Sequence, residues 1–387
     1  MNKHPVYKTW IEINQKSLRN NIRAFRSLLK KQTKLFAVVK SNAYGHGLTV
    51  FAGLADRFGV DGFCVDSVIE GNALRSVGIR KPILVLGPTL PHLLKEAAAQ
   101  DITVTVSNFD ALKAIRDSKA SVGFHLKIDS GMHRQGFYLE DMPKVIKFVK
   151  NSIKNPSGKN KNLLRGIYTH FAAAKDITYK DYTLKQIDIL KRAKQMLARS
   201  GLKNIMVHSS ATGGTVLYPQ AHFDLVRIGI GLYGYWPSRE AMLQHHIIWH
   251  KNITLKPVLS WRALVSEIKQ LKKGDFVGYD LTAEARKPME TAVVPIGYWH
   301  GFPRSLSGCG EAIIKGSRVP IFGRVSMDLI VLGIPPHGIK TNIGDTVTFI
   351  GEEGRESIDA REFAERAGTI SYEILTRLNP LMKREVI

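Results

Sequence analysis

The sequence predicts an α/β chain, an N-terminal (β/α)8, TIM-like barrel followed by a C-terminal mainly β domain. Three observations predict it. Between residues 34 and 234, eight short apolar runs alternate with amphipathic helical patterns. The runs lack a clean in–out alternation, as expected of strands covered on both faces. After Tyr235 the helical periodicity gives way to short strands separated by Gly, Pro and Asp turns.

In chain order, Lys8–Ile13 reads as a first strand and Lys16–Leu29 as a first helix. The eight runs follow at Leu35–Val39, Gly62–Val65, Pro82–Leu86, Ile102–Val106, Val122–Ile128, Leu164–Phe171, Ile205–His208 and Leu225–Ile230. Helical patterns lie between them. In Tyr182–Leu197, for example, Leu184, Ile187, Leu190 and Leu197 recur at helical spacing. An open doubly wound sheet would carry a GxGxxG turn after an early strand, and this chain has none. Later strands are predicted at Pro257–Ile268, Gly274–Gly278, Glu290–Ile296, Glu311–Ile314, Arg318–Ile321, Leu329–Leu332 and Asp345–Ile350, with a helix at Ala360–Ala367. The barrel is expected over 14–244 and the β domain over 245–387, with the strand at 7–13 joining the latter.

The 387 residues are 44% hydrophobic and 23% charged, an ordinary globular composition with ample core. Cys64 and Cys309 form neither a disulfide framework nor a metal knuckle, and no metal is expected. The N-terminus lacks the apolar run of a signal peptide, and no stretch approaches the ~20 apolar residues of a membrane span. A cytoplasmic protein with no membrane partner is the expectation. The net charge of +23 could attract polyanions without specificity. That charge is spread along the chain. Its one concentration, from Lys147 to Arg165, contains Pro156 and Gly158 and reads as a solvated loop, with polyanion binding as the alternative. No nucleic-acid motif accompanies it, so no specific nucleic acid is expected.

The first barrel run ends in Lys40. A lysine directly after four apolar residues needs a partner or a depressed pKa, and depressed amines form Schiff bases. Taken alone, such a lysine more often makes a salt bridge. Its context, AVVKSNAYGHG at 37–47, resembles the signature of the alanine racemases, pyridoxal-phosphate (PLP) enzymes built on a barrel. Further blocks follow in family order: HLKIDSGMHRQGF at 125–137, GIYTHFA at 166–172, VRIGIGLYG at 226–234, VGYDLTAEA at 277–285, VVPIGYWHGFPR at 293–304, GRVSMDL at 323–329 and TISYE at 369–373. The resemblance spans essentially the whole chain.

It implies a homodimer whose active sites are shared between subunits, acting on alanine. Lys40 would be the cofactor's covalent attachment point and the base for the D-enantiomer. Tyr279, from the partner subunit, would be the base for the L-enantiomer. Two acid/base groups on opposite faces are what inversion at a planar carbon requires. Tyr44, Thr212, Gly229, Ile230 and Tyr372 match phosphate positions. Arg227, otherwise read as half of a buried ion pair, matches the residue facing the pyridine nitrogen. His170, otherwise a core histidine, matches the relay between that arginine and the catalytic tyrosine. Arg134 would bind the substrate carboxylate in bidentate fashion. Lys127 matches a lysine that is often carbamylated, and Tyr298, Met327 and Asp328 match partner residues near the substrate. The activity implied is the interconversion of L- and D-alanine that supplies D-alanine for peptidoglycan.

This chain departs from the family pattern in four places. Thr212 stands for serine, Ala211 for asparagine, His133 for glycine and His300 for an acidic residue. Tyr372 is retained, where related serine racemases carry a smaller residue. The alternatives are a serine or broader-specificity racemase of the same fold, a non-enzymatic PLP carrier, and a polyanion-binding protein. Decarboxylases of this fold face the ring nitrogen with a glutamate, which Arg227 argues against.

Overall fold

A computed structural model describes residues 7–152, 163–249, 253–335 and 339–387. Of the basic stretch from Lys147 to Arg165, residues 153–162 lie outside the described residues, and the solvated-loop reading is corrected at its ends, where 147–152 belong to the helix Met142–Ser152 and 164–165 to the strand Leu164–Tyr168. Two compact units are present. One comprises Leu18–Ser41 and Phe51–Lys256, the other Met1–Ser17, Asn42–Val50 and Pro257–Ile387.

The first unit is a closed parallel barrel. After β1 (Thr9–Ile13), which belongs to the second unit, its strands are β2 (Lys34–Val38), β3 (Gly62–Val65), β4 (Ile83–Val85), β5 (Ile102–Val106), β6 (Phe124–Lys127), β7 (Leu164–Tyr168), β8 (Met206–His208) and β9 (Leu225–Ile228). They pair in sequence order, and β9 closes onto β2. Burial on both faces explains the unalternating runs, with Phe63, Cys64 and Val65 all fully buried in β3. Helices begin where side chains cap them, as Ser67 and Asn108 do by accepting from backbone amides three residues on.

Two expectations for this unit need correction. The sixth run ends at Tyr168 and not at Phe171, because the amide of Thr169 turns to the His208 carbonyl (3.2 Å) and releases His170 into a loop. Helix Lys180–Arg199 buries Thr183 and Gln186 while Leu184 is only half-buried. Gln186 is inside because it accepts from the Ala172 amide (3.0 Å) and donates to Ser130 Oγ (3.3 Å). A buried amide with both ends satisfied is tolerated where an apolar residue would leave that loop amide unpaired.

In the second unit β1 lies between β10 (Leu259–Leu264) and β20 (Lys383–Val386). The unit further contains β11 (Glu267–Leu271), β12 (Phe276–Val277), β13 (Ala283–Glu284), β14 (Met289–Val294), β15 (Glu311–Ile314), β16 (Ser317–Pro320), β17 (Ile330–Ile334), β18 (Thr346–Glu353) and β19 (Glu356–Ile358). The single strand predicted at 257–268 is in fact two. At Val265 and Ser266 the amides turn to Asp345 and Val293, carrying the chain from the sheet of β10 into that of β11 and β14. Trp261, Phe302, Phe349 and Phe363 form the aromatic core of this unit, with ring centroids 5.4–6.3 Å apart.

Candidate active site

Lys40 follows the first barrel strand. Its Nζ lies 3.2 Å from Asp66 Oδ1, and its side chain is 38% exposed. Beyond it Ser41, Asn42, Ala43 and Tyr44 have φ of 55°, 55°, 51° and 50°, a left-handed turn without a glycine. Each such residue costs roughly 1–2 kcal/mol, and strain of this kind persists only where surroundings over-determine it. Here they do. Glu70 accepts from the amides of both Ser41 and Asp66 (2.7 Å each), tying together the segments that carry Lys40 and its ion partner. Asn42 Oδ1 accepts from the Leu48 amide (2.8 Å), and the Gly45 carbonyl accepts from buried Arg384 (2.8 Å). Glu70 is a site residue that sequence reasoning missed. A lone glutamate in an amphipathic helix carries no signal of a clamp.

Arg227 is 2% exposed on β9. Its Nη2 donates to the carbonyls of Thr169 (2.9 Å) and Ser209 (3.0 Å), and lies 3.5 Å from His170 Nδ1. Its Nη1 donates to His208 Nδ1. The ion-pair alternative is therefore corrected: among the described residues Arg227 has no carboxylate partner. His170 is pushed down to about 3, by burial first and then by the charges of Arg227, Arg134, Lys127 and Lys40. The same face of the barrel thus gathers four cations around a neutral imidazole. Just after β9, Gly229 and Ile230 accept from the amides of Leu232 (2.8 Å) and Tyr233 (3.1 Å). The hydroxyl of Thr212 accepts from Gly231 (3.3 Å). A Cβ at Gly231 would come within 2.8 Å of Thr212 and closer still to Phe25, so this backbone is packed tightly against its neighbours.

Lys127 ends β6, 6% exposed, and donates to Gln135 Oε1 (2.7 Å). Burial, then Arg134 and Arg227, push its ammonium down to about 8. Asp129 organises the loop that follows. Its carboxylate accepts from the amides of Gly131 (3.0 Å), Met132 (2.9 Å), His133 (2.9 Å) and Arg134 (3.0 Å). His133 takes φ 54° in this loop, where the family's glycine would sit without strain. Burial alone would raise the Asp129 pKa, but the four amides outweigh it and hold the carboxyl below its ordinary range. Asp129→Ala is therefore expected to destabilise the protein by about 1–3 kcal/mol at neutral pH. Because the folded pKa is depressed, the difference is full above about pH 4 and fades as acid protonates the carboxylate. Paired urea titrations across pH check this.

The second unit carries the remaining residues. Tyr44 and Tyr372 face each other with ring centroids 6.0 Å apart, and burial pushes the Tyr372 phenol up to about 12. Tyr279 is 69% exposed, in a turn where Asp280 (φ 63°) pairs with Arg324 (2.7 Å). Without the resemblance it would read as an ordinary strand residue, and it is not in a strand. Tyr298 and Met327 sit on adjoining loops, tied by the amides of Tyr298 and Trp299 donating to the Ser326 and Met327 carbonyls (3.1 and 3.0 Å). Both side chains are exposed, as are Trp299, Leu281 and Leu329. His300 is buried where the family has an acid. Its Nδ1 accepts from the Gly297 amide (3.2 Å), 4.0 Å from Asp328 Oδ1. Among the described residues no group of three or more His, Cys, Asp or Glu could hold a metal, and no helix is long and apolar enough to cross a membrane.

A strand-end face of the barrel so rich in cations suits small anions and zwitterions. The comparisons make this specific. The alanine racemase N-terminal domain matches residues 13–237 and the C-terminal domain residues 258–386. The alanine racemase of Leptospira interrogans serovar Lai is 34% identical over 384 residues, covering 99% of this chain and 96% of the relative. The crystal structure of alanine racemase from Bacillus anthracis with bound L-Ala-P has a TM-score of 0.89 at 34% identity, covering 99% and 96%. The histidine racemase of Leuconostoc mesenteroides has a TM-score of 0.84 at 29% identity, covering 99% of each chain. The chain belongs to the alanine racemase family, and it is an isomerase of a PLP-dependent fold.

Proposed function

We propose that this chain interconverts L- and D-alanine as a PLP-dependent homodimer, supplying D-alanine for peptidoglycan. One observation carries the reading: a buried arginine on the last barrel strand whose charge no carboxylate among the described residues neutralises. Burying an unneutralised cation is expensive unless a ligand uses it. The cationic barrel face fits a cofactor with a phosphate group and a substrate with a carboxylate.

In this reading Lys40 leaves Asp66 and holds the cofactor covalently. In the barrel, Thr212, Gly229 and Ile230 bind the phosphate by hydroxyl and backbone, and Arg227 faces the ring nitrogen with His170 beside it. In the second unit, Tyr44 and Tyr372 are assigned to the phosphate. When bound, PLP supplies a conjugated ring that delocalises the electron pair left at the substrate α-carbon. Arg227 holds its own proton too tightly to hand it to a ring nitrogen. It therefore weakens that electron sink, which favours return of the proton to the α-carbon.

Lys40 moves the α-proton of the D-enantiomer, and the Tyr279 phenol of the partner subunit moves that of the L-enantiomer. The 69% exposure of Tyr279 leaves it available to a second copy. Arg134 takes the carboxylate, with Tyr298, Met327 and Asp328 of the partner subunit bounding the substrate. Retention of Tyr372 supports alanine over serine. Solvent-deuterium exchange at the α-carbon of alanine, serine, lysine, arginine and histidine tests this. Exchange confined to alanine supports the reading, and comparable rates on the larger side chains overturn it in favour of a broad-specificity racemase.

Lys127 is the residue we assign to carbamylation. Attack on CO2 needs the neutral amine, so incorporation of 13C-labelled CO2 is expected to rise as pH climbs through about 8. The carbamate signal in 13C NMR should vanish in Lys127→Met. A signal that persists would remove the assignment.

A further inference from the structure

The acceptors around Arg227 fix more than its position. A guanidinium can only donate, so His208 Nδ1, which Nη1 meets, must present its lone pair and carry its proton on Nε2. That proton points at His125 Nδ1, 2.8 Å away. His125 must in turn present a lone pair there and keep its own proton on Nε2. Hydrogen bonds therefore run in one direction, from Arg227 through His208 to His125.

Both imidazoles are neutral. Burial, then Arg165 and Arg227, push His125 down to about 3, and burial with Arg227 lowers His208 as well. The Tyr168 ring lies flat on His208, with centroids 4.6 Å apart and planes within 6°. Its hydroxyl bonds Thr105 Oγ1 (2.9 Å), whose own proton goes to the Val85 carbonyl (2.7 Å), so the stack is anchored across the barrel. Gly166 makes the room, since a Cβ there would stand 2.6 Å from the His125 ring.

We propose that His208, held in one tautomer by His125, is the positioning residue that aims Arg227 at the ring nitrogen of bound PLP without neutralising its charge. This rests on the assignment of Arg227 to the cofactor made above. A carboxylate in the place of His208 would hold the guanidinium equally well but cancel its charge. An aliphatic residue would leave Nη1 free to swing. A neutral acceptor with a fixed lone pair does neither.

The test has two parts. In the purified protein with 15N-labelled histidine, both Nδ1 atoms are expected to be unprotonated, and neither ring to titrate between about pH 5 and 8. A proton on His208 Nδ1, or titration of His208 in that range, overturns the proposal. In the holoenzyme, His208→Leu is expected to lower kcat about 100-fold with little change in KM, and to shift the cofactor's absorption spectrum. His208→Asn, whose Oδ1 can accept from Nη1, should recover most of that loss and the original spectrum. Wild-type kcat and spectrum in His208→Leu overturn the proposal. Should that variant not fold, His125→Asn carries the same readouts. Arg227→Lys separates the two claims: an unchanged cofactor spectrum there would refute the assignment of Arg227, while the histidine tautomers still report on the pair itself.

Discussion

Replacing Lys40 by alanine is expected to reduce alanine racemisation by about 10³-fold or more, because one side chain then loses two roles. In the reading proposed above it is both the covalent attachment point of the cofactor and the base for the D-enantiomer. Among the described residues the site offers no substitute amine of equal placement. Lys127 sits at the end of a different strand, bonded to Gln135, and Arg134 and Arg227 do not deprotonate. The local fold should survive, since Glu70 holds the Ser41 and Asp66 amides through its own carboxylate and not through the lysine. A normal unfolding transition together with lost activity is the expected pattern. Borohydride reduction followed by peptide mapping should place the cofactor on Lys40 in the wild type and on no residue of the variant. Labelling of another lysine would contradict the assignment.

Tyr279→Phe has the second largest expected effect, and its signature is asymmetry. Removing one acid/base group costs about 10²–10⁴-fold in the step it serves. Exchange of the α-proton of L-alanine should fall by that factor, while exchange from D-alanine, served by Lys40, should fall far less. Nothing in the chain's own fold is lost with the hydroxyl, because the side chain is largely exposed. Mixing the Lys40→Ala and Tyr279→Phe proteins should restore activity if each site draws its two bases from different subunits. Hybrids would then pair an intact lysine with an intact tyrosine in one of their two sites. No recovery on mixing would contradict a shared site.

Much of the fold was legible because strands and helices differ in how they bury side chains. Strands covered on both faces gave uninterrupted runs such as Gly62–Val65, whose observed bounds match the reading. What was missed has physical reasons. Ala283–Glu284, Glu356–Ile358 and Lys383–Val386 are short strands with charged residues, and helix Ser371–Arg377 begins without a side-chain cap. Leu184 falls on the apolar repeat of its helix yet is only half-buried, because the inside of that helix is partly polar and Gln186 there serves a loop amide that no periodicity encodes.

The site divides along the same line. Arg227 stood out because an arginine inside an apolar run demands an explanation. His125 and His208 also sit inside apolar strands, but a single buried histidine is common, and only the three-dimensional pairing shows that two of them form a chain behind the arginine. Tyr279 could not be found from the chain's own physics at all. Its surroundings are solvent, and its proposed task exists only when a second copy is present.

In the proposed reaction, proton removal and proton delivery belong to two different side chains. The most direct measurement starts L-alanine in D2O and determines the isotope at the α-carbon of the first D-alanine formed. Lys40 and Tyr279 acting from opposite faces predict that this product carries solvent deuterium in nearly every molecule. Substantial retention of the original protium in that early product would mean that one group carries the proton across, and would contradict the account.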